Sequence, residues 1–268
     1  MLAGLVLAAS IGLLLMDVAR ADQQRIGDMY RDLAATSLIV GEDTLAPQIA
    51  LNEFTADWDT ILATINGRSE HFARSFERFR ELFPQVRALQ AASSPEITVA
   101  LVGDPGLKAA FGAADALPFC AGAKGYSVVA SGVGSRGWIA LAIDPQPTLE
   151  RARAAAGQPV RVALVQAGSA DVLAADRGPG CGPMTDPTYR AAASGGYGVD
   201  LVPRATGTAA IGYTAVVGTS LRVVVEDDPS YREAAAWERR ARIAGVATLL
   251  LVGGHVVWRL RRLRPSGA

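Results

Sequence analysis

The sequence predicts an α+β protein: a long helical N-terminal part, antiparallel sheet modules behind it, and an apolar helix at each end. Three observations carry this. Both termini hold long uncharged runs. Between residues 22 and 89 apolar positions recur at three-and-four spacing, the helical period. After Ser93-Ser94-Pro95 the pattern changes to short β-branched segments separated by glycine-rich turns. The chain has 268 residues, 50% hydrophobic and 19% charged, with 26 basic against 26 acidic side chains. That length fits one or two domains. A net charge of zero lacks the basic footprint of a nucleic-acid binder.

Residues 1–16, MLAGLVLAASIGLLLM, contain no charge and no proline. Residues 243–258, IAGVATLLLVGGHVVW, contain only His255 as an ionisable group. Each run spans roughly 24 Å of helix, and flanking Val18, Ala19 and the stems of Arg242 and Arg259 extend it towards a bilayer core. Trp237 and Trp258 bracket the second run as interfacial aromatics do. The first run reads as a transmembrane anchor, or as a cleaved signal with Ala19-Arg20-Ala21 as its small-x-small site. Arg259, Arg261, Arg262 and Arg264 follow the second run and favour a cytoplasmic C-terminus. His255, next to that end, reads as a neutral interfacial side chain.

The helical part comes next. "RIGDMYRDLAATSLIV" and "LNEFTADWDTILATI" are amphipathic, with Gly41 and Pro47 as punctuation. Phe72, Phe76, Phe79, Phe83, Val86 and Leu89 form a second stripe, a core-facing seam that Pro84 should kink or restart.

The sheet part follows. "EITVALVG" (96–103) predicts a strand, and "GYSVVASGV" and "GWIALAID" a hairpin closed by Gly134-Ser135-Arg136-Gly137. "PTLERARAAA" predicts a short helix. The grammar then recurs: "VRVALVQ" matches "ITVALVG", with "ADVLAAD" as its hairpin partner. A short helix follows, with Asp186 as N-cap and Pro187 at its first position. "YGVDLVPR", "AAIGYTAVVG" and "SLRVVVED" are three strands, and a last helix starts at Pro229. Both halves hold a "VALV" strand, a "GY" strand and a closing "D-P" strand, which reads either as a duplication or as chance recurrence of short β patterns.

The chemistry of the chain is sparse. Cys120 and Cys181 are its two cysteines, read as a disulfide or as two free buried thiols. With His71 and His255 as the only histidines, no His/Cys metal cluster assembles. His71 heads an amphipathic helix and is a poor candidate base, no G-x-S-x-G is present, and Lys108 does not complete a P-loop. Asp227-Asp228 before Pro229 read as a cap for the final helix. No catalytic residue, metal or cofactor is expected.

Two apolar ends, a long helical entry, the strand–hairpin–"P-x-Y" helix order and the closing "GYTAVVGTSLRVVVEDDP" together resemble the extracytoplasmic Cache sensor domains of bacterial receptors, which have a PAS-like sheet. The resemblance covers residues 160–230 best. It implies seven segments: an anchor at 1–19, a helical stalk at 20–95, a membrane-distal β-rich module at 96–158 and a Cache/PAS-like module at 159–228. A juxtamembrane helix at 229–242, a transmembrane helix at 243–258 and a short basic cytoplasmic tail at 259–268 complete the chain. The implied pocket draws on Tyr189, Arg190, Tyr197, Asp200, Arg204 and Tyr213. Arg136-Gly137-Trp138 only partly echoes the aromatic and arginine cluster of the amino-acid-binding members; their Trp-Tyr pair is absent, so no amine or carboxylate ligand is implied. The expected role is a sensor in the inner membrane with its main domain extracytoplasmic. It would bind an unidentified small molecule or an envelope partner and relay a shift through the C-terminal helix, with a homodimer through stalk and membrane helices compatible. The family normally continues into an output domain that this sequence does not contain, so signalling would need a partner signalling or envelope protein, or the output domain is missing. The alternative is a structural or assembly component of the envelope; an envelope enzyme ranks last.

Overall fold

The computed structural model describes residues 2–55, 69–94, 97–104, 119–121, 124–132, 137–168, 171–175, 182–183, 186–205 and 207–262. Its first element is one continuous helix, α1 (Leu2–Thr55), about 81 Å long at 1.5 Å per residue. Met29, Leu33, Thr36, Val40, Thr44, Leu51 and Thr55 are buried. Their steps of three and four residues, continued through the buried Pro47, draw one stripe along the helix. The buried threonines keep their hydroxyls satisfied within the helix: Thr36 donates to the Asp32 carbonyl at 2.8 Å and Thr44 to that of Val40 at 2.7 Å. Gly41 and Pro47 therefore do not break the helix as the sequence suggested. Tertiary packing on both sides of Pro47 outweighs the one backbone bond it removes.

Helix α2 (Ser69–Leu82) carries the phenylalanine stripe, with Phe72, Phe76 and Phe79 buried. The helix stops before Pro84, through a Phe83 N–H bond to the Phe79 carbonyl (2.7 Å) and a Val86 N–H bond to that of Phe83 (2.9 Å). The chain then becomes β1 (Val86–Ser94). Val86 and Leu89 join the same apolar cluster as the phenylalanines, but from a strand. The stalk expected over 20–95 thus ends early, and the first sheet begins at residue 86.

That sheet contains β1, β2 (Ile97–Gly103), β3 (Phe119–Ala121), β4 (Lys124–Gly132) and β5 (Trp138–Ile143), in the order β2-β1-β5-β4-β3 with every pair antiparallel. Helix α3 (Gln146–Ala155) leads to the second sheet. Its strands are β6 (Val160–Gln166), β7 (Asp171–Ala175), β8 (Gly182–Pro183), β9 (Gly198–Arg204), β10 (Gly207–Ala215) and β11 (Leu221–Asp227). The order is β8-β7-β6-β11-β10-β9, again antiparallel throughout. Without the two-residue β8, the second sheet repeats the first strand for strand. In this correspondence β4 matches β10 and β5 matches β11, so the "GY" and "D-P" phrases stand at equivalent places. The "VALV" phrases do not: β2 is an edge strand that matches β7, and the counterpart of β6 is β1.

The "GY" phrase has one physical meaning in both sheets. A Cβ at Gly125 would lie 1.6 Å from the Leu173 carbonyl oxygen, so β4 approaches β7 as only glycine allows. A Cβ at Gly212 would sit 3.1 Å from the Met29 side chain and 3.3 Å from Leu33 of α1. The following tyrosines, Tyr126 and Tyr213, turn to the opposite faces and pack in the outer clusters.

One face of the second sheet packs on α1 and α3, through Met29, Leu33, Val40, Leu149, Val162, Leu164, Val223 and Val225 among others. One face of the first sheet packs on α1 and α2 through Leu51 and the phenylalanines. Helix α4 (Pro187–Ser194) lies against the outer face of the second sheet. The last element, α5 (Pro229–Arg262), is a single helix in which the expected juxtamembrane and apolar segments are continuous. Its stretch Trp237–Arg259, 23 residues at mean hydropathy 1.5, is long and apolar enough to cross a membrane, and none of it is buried. The His255 ring lies 5.7 Å from that of Trp258. Arg136 and Cys181 fall outside the described residues, as do the side chains of Cys120, His71 and Trp138, so the expected disulfide and the first-module echo both lie there.

Candidate functional site

Successive residues of a strand point to opposite faces, and the end of β11 exploits this. Its last two residues are both buried acids, Glu226 and Asp227, in a strand that otherwise holds Leu221, Arg222 and three valines. Each meets a different partner set on a different side of the sheet.

Glu226 shares the outer face with Val224 and faces α4. The Tyr189 hydroxyl, from the first turn of α4, donates to its Oε2 at 3.2 Å. Arg204, at the end of β9, donates through Nε to its Oε1 at 3.2 Å. The same guanidinium pairs through Nη1 with Asp186, the residue before α4, at 2.7 Å. Asp186, expected only as a helix cap, thus also ties the start of α4 to the sheet. Burial, and then the Glu226 charge and hydrogen bond, push the Tyr189 phenol well above its ordinary range. For Arg204, burial works to lower the pKa, but Glu226 and Asp186 outweigh it and raise it. The arrangement has a hydrophobic floor of Ala163, Val165, Ala209, Ile211 and Val224.

The other predicted residues separate into two groups. Tyr213 and Asp200 sit on β10 and β9, where burial, then the Asp200 charge and hydrogen bond, raise the Tyr213 pKa. Tyr197, 64% exposed, lies with its ring 5.4 Å from that of Tyr30 on α1. These form an edge cluster beside β9. Arg190 is exposed on α4. The structure therefore brings Tyr189 and Arg204 together, holds Asp200, Tyr213 and Tyr197 at the sheet edge, and leaves Arg190 at the surface.

Asp227 lies on the inner side. It accepts from Arg25 of α1, through Nε at 2.7 Å and also through Nη2, and from the Ala210 backbone N–H at 3.2 Å. Arg25 also donates to the Thr208 carbonyl at 2.7 Å. The Asp227 side chain is 2% exposed, that of Arg25 20%. Asp227 thus holds α1 to the last strand, two residues before α5. Nearby, the buried Asp32 of α1 accepts the Gly157 N–H at 2.7 Å. A cleft of about 380 Å³ opens beside that loop, lined by Arg153, Gln158, Pro159 and Asp228, and none of the predicted site residues line it.

Sequence reading missed Glu226 and Arg25, and read Asp227 only as part of a helix cap. The available signal was the acidic pair closing "LRVVVED", a charge pattern that a strand buried on both faces tolerates only when partnered.

No family model and no curated protein matches the chain. Solved structures do match. The extracellular domain of a candidate histidine kinase, rpHK1S-Z16, superposes with a TM-score of 0.52 at 11% identity, over 79% of this chain and 96% of that one. The sensory domain of the Campylobacter jejuni chemoreceptor Tlp3, solved with isoleucine bound, gives 0.50 at 10% identity, over 78% and 95%. The ligand-binding domain of the Pseudomonas aeruginosa PAO1 amino-acid chemoreceptor PctB, in complex with L-Arg, gives 0.50 at 12% identity, over 78% and 97%. The long helix, the paired antiparallel sheets and these neighbours agree: the chain has the α+β, Cache-like fold of extracellular sensor domains.

Proposed function

We propose that this chain is a membrane-anchored sensor of the extracytoplasmic side. Its terminal apolar segments, 1–19 and 243–258, hold it in the inner membrane, and the α4-covered face of the second sheet takes a small molecule. The carrying observation is the adjacency of Glu226 and Asp227. A ligand that disturbs the Tyr189–Glu226–Arg204 cluster acts on β11. The next residue of β11 is the one that clamps α1 to the root of α5. Both helices run on into the apolar segments, so a shift of β11 changes how they lie against each other. A ligand moves this equilibrium only by its differential affinity for the two arrangements.

The test uses the full chain in detergent micelles, screened by thermal shift against a metabolite library. Spin labels at Gln24 of α1 and Glu233 of α5, both exposed, then report the helix separation with and without a hit. The expected result is a stabilising compound that changes the separation in the wild type and does neither after Tyr189→Phe or Arg204→Ala. A hit that leaves the separation unchanged, or an empty screen, would overturn the relay or the ligand site respectively. Reporter fusions at residue 150 test the anchoring: a cytosolic signal there contradicts it.

A further inference from the structure

The cluster around Glu226 holds buried donors that no acceptor meets. Both Glu226 oxygens are engaged, one by Arg204 and one by Tyr189. Across the sheet, Glu226 stands in register with Arg161 of β6. Residues in register on neighbouring antiparallel strands share a face. Alternation agrees: Val160, Val162 and Leu164 of β6 belong to the inner core, and Ala163 and Val165 to the outer one. Arg161 therefore projects from the same face as Glu226, yet its Nε is buried without a hydrogen-bond partner. Arg204, which spends Nε and Nη1 on Glu226 and Asp186, keeps a buried Nη2 in the same condition.

Two guanidinium nitrogens, Nε of Arg161 and Nη2 of Arg204, are thus withdrawn from water and unmatched beside the Glu226 carboxylate. A buried charged donor without an acceptor is costly, and a hydrogen bond to a charged group is worth more than a neutral one. We infer that Arg161 and Arg204 form an oxyanion subsite on the outer face of the second sheet, which binds the carboxylate, sulfonate or phosphate group of a small molecule. The groups without a partner there are donors, so they favour a group that accepts. Guanidinium geometry suits such groups because its N–H bonds lie in one plane and can meet two oxygens at once. This deepens the ligand-binding reading above and rests on it.

The experiment titrates the full chain in micelles with sodium acetate, sodium sulfate and sodium phosphate. Sodium chloride keeps the ionic strength equal, and acetamide serves as the neutral acceptor. The readouts are the melting temperature and the tryptophan and tyrosine fluorescence. The expected result is saturable stabilisation by at least one of the three oxyanions and none by acetamide. Which one succeeds separates carboxylate from phosphate-type ligands. Arg161→Gln should weaken the response at least tenfold without lowering the melting temperature of the ligand-free chain, because it removes a buried N–H that lacked a partner. Arg161→Lys should retain part of it. Equal responses to acetate and acetamide would overturn the oxyanion assignment. So would a response unchanged in Arg161→Gln, which would mark ion binding elsewhere, or no response in any titration. If an uncharged library compound still binds and is lost in Tyr189→Phe, the sensor reading stands while this subsite falls.

Discussion

The two sheets have the same strand order and opposite chemistry. Both bury one face on α1: the first through Leu51, the second through Met29, Leu33 and Val40. Their outer faces diverge. In the first sheet, β1 and β5 present Ala88, Ala140 and Ala142 beside Tyr126. In the second, the outer face carries Arg161, Arg204, Glu226 and Arg222, the last donating to the Gly196 carbonyl at 2.9 Å. One topology thus carries two different outer faces, because the inner face secures each sheet to the long helix. Fold and chemistry occupy different sides of the same strands, so each can be altered separately.

The largest effects should come from cutting a sheet off α1. Leu33→Ala and Leu51→Ala both truncate fully buried side chains, and each should cost about 3 kcal/mol in chemical denaturation. The comparison sharpens in hydrogen exchange. Leu33→Ala should lose protection first in β10 and β11, Leu51→Ala first in β1 and β5. If both variants loosen the same strands, the sheets are not independently docked. Next comes the clamp. Asp227→Asn keeps the shape and removes the charge opposite Arg25, which should cost about 2–3 kcal/mol, near or below the usual range because Arg25 is partly solvated. The first sheet offers a more exposed ion pair for comparison: Asp144, the residue after β5, accepts from Arg87 at 2.9 and 3.2 Å. Arg87 is 43% exposed, so Asp144→Asn should cost under about 1 kcal/mol. A ranking of these two in the reverse order would contradict burial as the distinguishing feature.

How much of this could be read from residues alone follows from where the information lies. The strands of the second sheet were legible because "VRVALVQ" and "LRVVVED" are β-branched and bounded by turns. β1 was not, since "VRALQAASS" continues a helical phenylalanine stripe and is rich in residues of low strand preference. Only its place between β2 and β5 makes it a strand. The "VALV" echo misled for a related reason: which strand lies beside which is set by long-range pairing, and two local phrases can match while their positions in the sheet do not. Of the site, Tyr189 and Arg204 were visible as polar residues in the sheet-and-helix region. Glu226 and Arg161 were not, because their meeting depends on the β6–β11 register, which nothing local encodes. Arg25 lies 202 positions from Asp227 along the chain, beyond any spacing argument.

The smallest effect is also the most specific to the outer face. The Tyr189 hydroxyl gives one hydrogen bond to Glu226 at 3.2 Å, so Tyr189→Phe should cost about 1 kcal/mol near neutral pH. Its pH dependence reads how far burial and the Glu226 charge together hold the phenol neutral. Burial and the Glu226 charge raise the folded-state pKa of Tyr189 above the ordinary value of 10.0. A raised folded pKa means that folding favours the protonated phenol. Its contribution is fully present below pH 10 and declines as pH climbs towards the folded-state value. The wild type should therefore lose stability more steeply above pH 10 than Tyr189→Phe, and the gap between them should narrow. Tyr126 and Tyr213 also have raised values, but both are present in each protein, so the difference curve isolates Tyr189. Urea denaturation at pH 8 and pH 11 measures it. A gap that stays constant across that interval would show that folding does not hold the Tyr189 phenol neutral, and the outer face would then differ from that of the first sheet in composition but not in the work its charges do.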